Sequence, residues 1–97
     1  MNTNDAVRML CEQEEARLEC LRNAIINHIK YDMGYVAELA RKAVDIESLV
    51  ADLRFIIDRV HPDDWELQIN EWRDEADDNL RGTAAEVDAF IAWNSQS

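Results

Sequence analysis

Apolar residues recur along the chain at helical spacing, beginning near the N-terminus. At about 100° per residue, the apolar side chains between residues 7 and 29 fall on one stripe of an amphipathic helix. This stripe consists of Val7, Leu10, Cys11, Leu18, Leu21, Ile25 and Ile29. Asn4 is the expected N-cap. Glu14 also lies on the stripe, so we expect its carboxylate either to reach solvent or to pair with a cation across the helix interface.

The second predicted helix carries the clearest periodicity. One heptad position is occupied by Val36, Ala43, Val50 and Ile57, and the partner position by Leu39, Ile46, Leu53 and Val60. Mostly β-branched residues at the first position and mostly Leu or Ile at the second are typical of two-stranded coiled coils, and a bundle helix uses the same seam. Leu49 and Ile56 widen the apolar stripe, which favours a bundle.

The segment YDMGY, residues 31–35, interrupts the pattern between these two helices. Gly34 predicts a chain reversal or a helix end. The 4-3-4-3 spacing from Ile25 to Leu39 continues through the segment and would also suit one unbroken helix. We favour the reversal, so residues 5–32 and 35–60 are predicted to form an antiparallel helical hairpin.

A third helix is predicted over residues 63–81. Pro62 suits a first helical turn, and Asp63 with Glu66 resembles a capping box in which Asp replaces Ser or Thr. Gly82 is the expected C-terminal stop of this helix. The pattern therefore places a helix boundary at residue 82.

Thr83 and Glu86 form a second capping-box pattern and predict a fourth helix over residues 84–94. The 97 residues include only two Gly and one Pro, fewer than the turns of a sheet-rich domain require. Residues 1–97 are therefore predicted to be one all-α domain, a small helical bundle built on a long hairpin. Its predicted core draws on Leu18, Leu21, Ile25, Leu39, Ile46, Leu53, Trp65, Ile69, Trp72 and Phe90.

The far side of the second helix carries a further apolar strip. Val44, Ala51 and Phe55 lie nearly opposite the heptad seam at spacings i, i+7 and i+11. A hairpin packed through the seam leaves this strip outside. We therefore predict self-association through the strip, with the two second helices antiparallel in a homodimer, or contact with a different protein as the alternative.

The third helix has an acidic face. Trp65, Ile69 and Trp72 cluster on one side, and the carboxylates fall on the opposite half. These are Asp63, Asp64, Glu66, Glu71, Asp74, Glu75, Asp77 and Asp78. On one helix they would present a charge about every 3 Å, close to the roughly 3.4 Å spacing on a DNA strand. Leu67 lies among them as a potential anchor, so the face is either a recognition surface or simply a solvated one.

Charge restricts the classes of partner. The net charge is −11, and residues 61–97 hold 10 Asp/Glu against 2 Lys/Arg, a net charge of −8. Direct binding to nucleic acid or to an anionic membrane is disfavoured, because both depend on Lys and Arg. The first ten residues lack a signal-peptide pattern, and two cysteines nine residues apart on one helix suit unpaired thiols, so we expect a cytoplasmic protein.

No pattern of catalytic chemistry emerges from the sequence. The chain has two His, no phosphate-binding Gly loop, no Glu-x-x-His pair and no metal-ligand spacing. We therefore expect neither an enzyme nor a cofactor or metal site. His28, at the edge of the first apolar stripe, is interpreted as a boundary residue with a half-buried ring.

In size, acidity and helical character the chain is similar to the small inhibitors, such as anti-restriction and anti-CRISPR proteins, that phages deploy against host machinery. This resemblance concerns size and charge and assigns no residue a role. It implies an acidic protein-binding module that occludes a basic, nucleic-acid-binding surface of a larger protein or nucleoprotein complex. The rival hypothesis is a homodimeric structural or assembly protein whose acidity serves only solubility.

Overall fold

The computed structural model describes residues 1–30, 32–75 and 78–96, with the backbone alone for residues 78–81. In these residues the chain forms four α-helices and no strand, which confirms the predicted all-α class. The helices are α1 (Thr3–His28), α2 (Met33–Arg59), α3 (Trp65–Asp74) and α4 (Asp78–Ser95), with a 3₁₀ turn at Pro62–Asp64 before α3.

The predicted hairpin of α1 and α2 is confirmed, and the unbroken helix is wrong. Ion pairs between Glu15 and Arg54, and between Arg22 and Glu47, show that the two helices run antiparallel. The reversal precedes Gly34, which lies in the first turn of α2 and has no positive φ.

Asp32 starts α2 after this reversal. Its carboxylate accepts a hydrogen bond from the backbone N–H of Tyr35 at 3.0 Å, which satisfies one of the free donors at the helix start. The reversal therefore depends on an Asp cap and not on a left-handed glycine.

The heptad seam of α2 packs against α1 as predicted. Five of its positions are buried, and the other three, nearer its C-terminal half, are half-buried. The buried positions are Val36, Leu39, Ala43, Ile46 and Leu53. Ile56 is also fully buried, which confirms that α2 is a bundle helix with a wide apolar face.

The head core forms where all four helices meet. It joins the N-terminal half of α1 and the C-terminal half of α2 to α3 and α4. Trp65 is almost completely buried there, and its indole N–H donates to the Val60 carbonyl at 2.8 Å. The guanidinium of Arg8 lies over its ring at 4.8 Å from the centroid. The head core consists of Ala6, Val7, Leu10, Cys11, Leu53, Ile56, Trp65, Ile69, Trp72, Ala84 and Val87.

Most of the predicted core is buried. Leu21, Ile25 and Phe90 are exceptions, because each is half-buried. Ile29, placed on the α1 stripe, is 51% exposed because α1 ends one residue earlier. The predicted core list also omits Ala84 and Val87 of α4, small residues that reach the head core.

The predicted boundary at Gly82 is wrong. Helix α3 already ends at Asp74, and α4 runs through residue 82 without a break. Thr83 does not cap a helix, because its buried hydroxyl donates to Asp52 of α2 at 2.6 Å. Tertiary burial of this face of α4 therefore overrides the local stop signal.

The predicted cap of α1 is replaced by a residue two positions earlier in the chain. Asn2 caps α1, and its side-chain oxygen accepts from the N–H of Asp5 at 2.8 Å. Asn4, the predicted cap, lies inside α1 and donates to the Pro62 carbonyl at 2.9 Å.

The predicted capping box of Asp63 and Glu66 is also not formed. His61 Nδ1 accepts from the N–H of Asp63 at 3.2 Å at the start of the 3₁₀ turn. Asp64, the N-cap residue of α3, makes no side-chain capping hydrogen bond. The entry into α3 is therefore capped from the preceding loop.

Glu14 follows neither of its two predicted alternatives. It is 6% exposed, and its carboxylate lies 3.7 Å from the guanidinium of Arg17 on the same helix. The cation therefore comes from the next turn of α1 and not from across the interface. His28 is exposed and not half-buried, and its ring makes an edge-to-face contact with Tyr35.

We predict that Leu53→Ala lowers the free energy of unfolding by about 2–5 kcal/mol, because it leaves a cavity at a fully buried position. Leu67→Ala is the matched control, since Leu67 is 57% exposed and should cost less than about 0.5 kcal/mol. Urea unfolding followed by circular dichroism measures both values. Equal midpoints for the two variants would show that α2 does not pack through this seam.

We predict that Gly82→Ala raises the free energy of unfolding by about 0.5–1 kcal/mol, because Gly in a helix interior has excess unfolded-state entropy. A Cβ added at residue 82 meets no atom within 4 Å. If residue 82 instead adopted the left-handed conformation of a helix stop, alanine would be destabilising. The sign of the change in urea midpoint therefore distinguishes the continuous α4 from the predicted break.

Candidate partner-binding surface

Helix α3 positions an acidic face by burying its opposite side. Trp65, Ile69 and Trp72 are buried against the other helices, so the remaining circumference of α3 points to solvent. The exposed carboxylates on the turn, on α3 and at its end form what we call the acidic face. It consists of Asp63, Asp64, Glu66, Glu71, Asp74 and Glu75, all exposed.

The acidic face differs in shape from the ladder predicted on one helix. Asp63 and Asp64 belong to the 3₁₀ turn, and α3 ends at Asp74 after ten residues, about 15 Å. Asp77 and the side chain of Asp78 lie outside the described residues. The prediction of a straight row of charges on one helix from residue 63 to residue 78 is therefore wrong, and the described face is shorter and divided between the 3₁₀ turn and α3.

Leu67 lies within the acidic face and is 57% exposed. Helical spacing places Asp64 one turn before it and Glu71 one turn after it, while Asp74 follows at i+7 on the same side. An apolar side chain surrounded by charges has the layout of an interface anchor within a polar rim.

The only cation of α3 is directed away from the acidic face. Arg73 donates to both carboxylate oxygens of Asp88 on α4, at distances from 2.6 to 3.1 Å. It also donates to Asn70 at 2.6 Å. The hydrogen bonds that Arg73 donates to Asp88, and then the charge of Asp88, raise the pKa of Arg73. This cation therefore pairs with α4, and its effect on the acidic face is a smaller charge interaction with Asp74.

The acidic face has little countercharge of its own. Within the described residues, no Lys or Arg lies within ion-pair distance of Asp64, Glu66, Glu71 or Asp74. Asp63 lies 3.7 Å from Nδ1 of His61, which carries a charge only when protonated. Among the described side chains, these four carboxylates are therefore open to an external cation.

The predicted self-association strip is also on the surface. Val44 is 60% exposed, Phe55 is 43% exposed, and Ala51 between them is exposed as well. The guanidinium of Arg59 lies 5.7 Å from the centroid of the Phe55 ring. This strip and the acidic face occupy different helices, so the structure does not bring the two predicted sites together.

A groove of about 320 Å³ lies between α1, α2 and α4. Its walls include Glu14, Asp45, Asp52 and Glu86, with Ile46 and Leu49 among the apolar lining. Within the described part of the chain, no three His, Cys, Asp or Glu side chains converge in a way that could hold a metal ion. The groove is therefore not a recognisable metal centre.

The two cysteines are free and differ in environment. Burial, together with the hydrogen bond to Glu15, raises the pKa of Cys11 to about 11. Arg54 donates to Glu15, and this hydrogen bond lowers the pKa of the Glu15 carboxyl. Cys11 therefore has the properties of a structural thiol and not of an activated nucleophile.

No family model, curated protein or solved structure shows significant similarity to the chain. Among the described helices, none has the length and apolar character needed to cross a bilayer. The function must therefore be argued from the surfaces of the chain itself.

We predict that a thiol-alkylating reagent at pH 8 modifies Cys20 well before Cys11 in the folded protein. Cys20 is exposed, whereas Cys11 is buried and keeps its proton because its pKa is raised to about 11. Mass spectrometry of the digested protein measures the labelling of each site. Denaturation in urea should abolish the difference, and equal labelling without urea would contradict the burial of Cys11.

Proposed function

We propose that the chain is a non-enzymatic acidic module that binds a basic surface of a larger protein or nucleoprotein complex. The observation that carries this proposal is the acidic face of α3, where Arg73 pairs with Asp88 and no described Lys or Arg lies within ion-pair distance of four exposed carboxylates. An exposed patch of one charge sign attracts a patch of the opposite sign and steers encounter with it.

Surfaces that bind nucleic acid are the most common strongly basic surfaces of proteins, because phosphate contacts depend on Lys and Arg. A carboxylate patch docked there would compete with phosphate for the same cations. The proposed mechanism is therefore occlusion, the general mode of the small acidic inhibitors that the chain is similar to in size and charge. A patch divided between the 3₁₀ turn and α3 supports a charge-complementary contact better than an imitation of the regular phosphate spacing.

Leu67 and the carboxylates have different roles in this proposal. Exposed charge pairs contribute little net affinity and are screened by salt within about 8 Å at physiological ionic strength. A central apolar side chain that enters a pocket contributes affinity that depends much less on salt. The carboxylates therefore provide steering and orientation, and Leu67 provides the anchor.

We predict that Glu66→Gln, Glu71→Gln and Asp74→Asn in one variant abolish capture of the partner from a host lysate. The matched control carries Glu12→Gln, Glu19→Gln and Glu38→Gln, which remove the same three charges from exposed positions elsewhere. Immobilised wild-type protein and the control should retain the partner, and rising salt should release it. Quantitative mass spectrometry of the eluates measures how much partner each variant retains relative to the wild-type protein.

Two further measurements complete this test. Excess duplex DNA should release the partner if its basic surface binds nucleic acid, and Leu67→Ala should weaken capture without changing helicity. Equal loss with both triple variants would mean that only total charge matters and would contradict the assignment to α3. Capture that is insensitive to salt would contradict the electrostatic mechanism.

A further inference from the structure

The outer side of α2 carries a row of uncharged residues with palindromic spacing. Counted from Val44, the positions fall at −11, −7, −4, 0, +4, +7 and +11. We call this row the α2 strip, and it consists of Met33, Ala37, Ala40, Val44, Ser48, Ala51 and Phe55. At 100° per residue, all seven lie within about 40° of Val44. The three residues noted from the sequence are one part of this longer row.

Every member of the α2 strip is exposed. The strip spans 23 residues, about 33 Å along the helix. Helix α1 covers the heptad seam, and α4 covers the side of α2 that carries Asp52. Within the described part of the chain, no element covers the strip.

We propose that a second copy of this chain covers the α2 strip, with the two α2 helices antiparallel about a two-fold axis at Val44. A two-fold interface brings the same patch of both copies together, and two antiparallel copies of a row of residues match only if its spacing is palindromic. Val44 then faces Val44 of the second copy, Ala40 faces Ser48, Ala37 faces Ala51, and Met33 faces Phe55.

The side chains of the strip suit this arrangement. The positions between the two ends are mostly Ala and Ser, which allow two helices to approach closely. At one end Met33 projects into solvent and is 67% exposed. At the other end a shallow groove of about 260 Å³ is lined by Ala51, Arg54, Phe55, Asp58 and Arg59. The antiparallel register places Met33 of one copy at this groove of the other.

Charge favours a second copy on the strip and determines its direction. Residues 33–55 hold three Lys/Arg and four Asp/Glu, a net charge of −1, whereas residues 61–97 carry −8. The strip is therefore a part of the chain where two copies repel each other little. Parallel helices would place the two acidic faces side by side, and antiparallel helices place them at opposite ends.

The flank of the strip adds charge complementarity. Arg41 and Asp45 are both exposed and lie on the same flank of α2, close to the two-fold axis. Because rotation about the axis keeps each flank on its own side, Arg41 of each copy lies near Asp45 of the other. Opposite charges at the rim of an apolar strip are typical of protein interfaces.

The first test is the native mass, measured by light scattering at chain concentrations up to about 1 mM, where even a weak association populates the dimer. We expect twice the 11.3 kDa mass of the chain. Ala40→Glu with Val44→Glu should give a monomer. The control, Ala85→Glu with Ala89→Glu, adds the same charges at exposed positions of α4 and should remain a dimer. Circular dichroism checks that both variants keep their helicity.

The second test establishes the direction of the helices. In a Cys20→Ser background, Met33→Cys and Phe55→Cys are prepared separately and treated with a short bis-maleimide. The antiparallel dimer predicts rapid cross-linking in the mixture of the two variants and little in either alone. Cross-linking of each variant with itself would show parallel helices and overturn the proposal.

Two outcomes of the mass measurement, and one of lysate capture, also overturn the proposal. A monomeric mass at the highest concentration excludes the second copy. A dimer that persists with Ala40→Glu and Val44→Glu has its interface outside the α2 strip. A monomer that loses lysate partners with this variant would assign the strip to a different protein. The triple variant of the acidic face should keep the dimer, so failure of this proposal is separate from failure of the proposed function.

Discussion

The packing of α1 against the heptad seam of α2 is the constraint on which the other surfaces depend. Leu53 and Ile56 are fully buried in the head core at one end of this packing, and their burial fixes the rotation of α2 about its own axis. The rotation turns Asp52 towards α4, where it accepts the hydrogen bond from Thr83. It also turns the α2 strip to the outside, because the strip lies on the face of α2 opposite the buried seam. The exposed strip is thus a direct consequence of the buried seam.

A second constraint links α3 to α4. Burial of Trp65, Ile69 and Trp72 orients α3, but orientation alone would leave Arg73 free to neutralise the carboxylates beside it. Asp88 prevents this by accepting three charge-assisted hydrogen bonds from Arg73, an arrangement stronger than a contact between flexible surface side chains. The ion pair therefore fastens α4 to α3 and directs these hydrogen bonds of Arg73 to Asp88 instead of to the acidic face.

Features encoded by repeated local spacing could be predicted from the sequence, and features decided by a single distant contact could not. The seam of α2 and the stripe of α1 repeat over many turns, so the hairpin and most of the core followed from periodicity. The end of α3 at Asp74 has no such signal, and the continuity of α4 through Gly82 is accompanied by the contact of Thr83 with Asp52, 31 residues away. The pairing of Arg73 with Asp88, 15 residues apart, has no sequence signal either, although it determines how much of the acidic charge is available.

Electrostatics connects the two proposals. Two copies that each carry −11 repel, yet the repulsion between exposed charges decays over a Debye length of about 8 Å at physiological ionic strength. Helix α2 has 27 residues and is about 40 Å long, so antiparallel helices separate the two acidic faces by several Debye lengths. Their repulsion is then small, while each face keeps its full attraction for a basic surface at contact distance. The same charge that would oppose a parallel dimer is therefore compatible with an antiparallel one that presents an acidic face at each end.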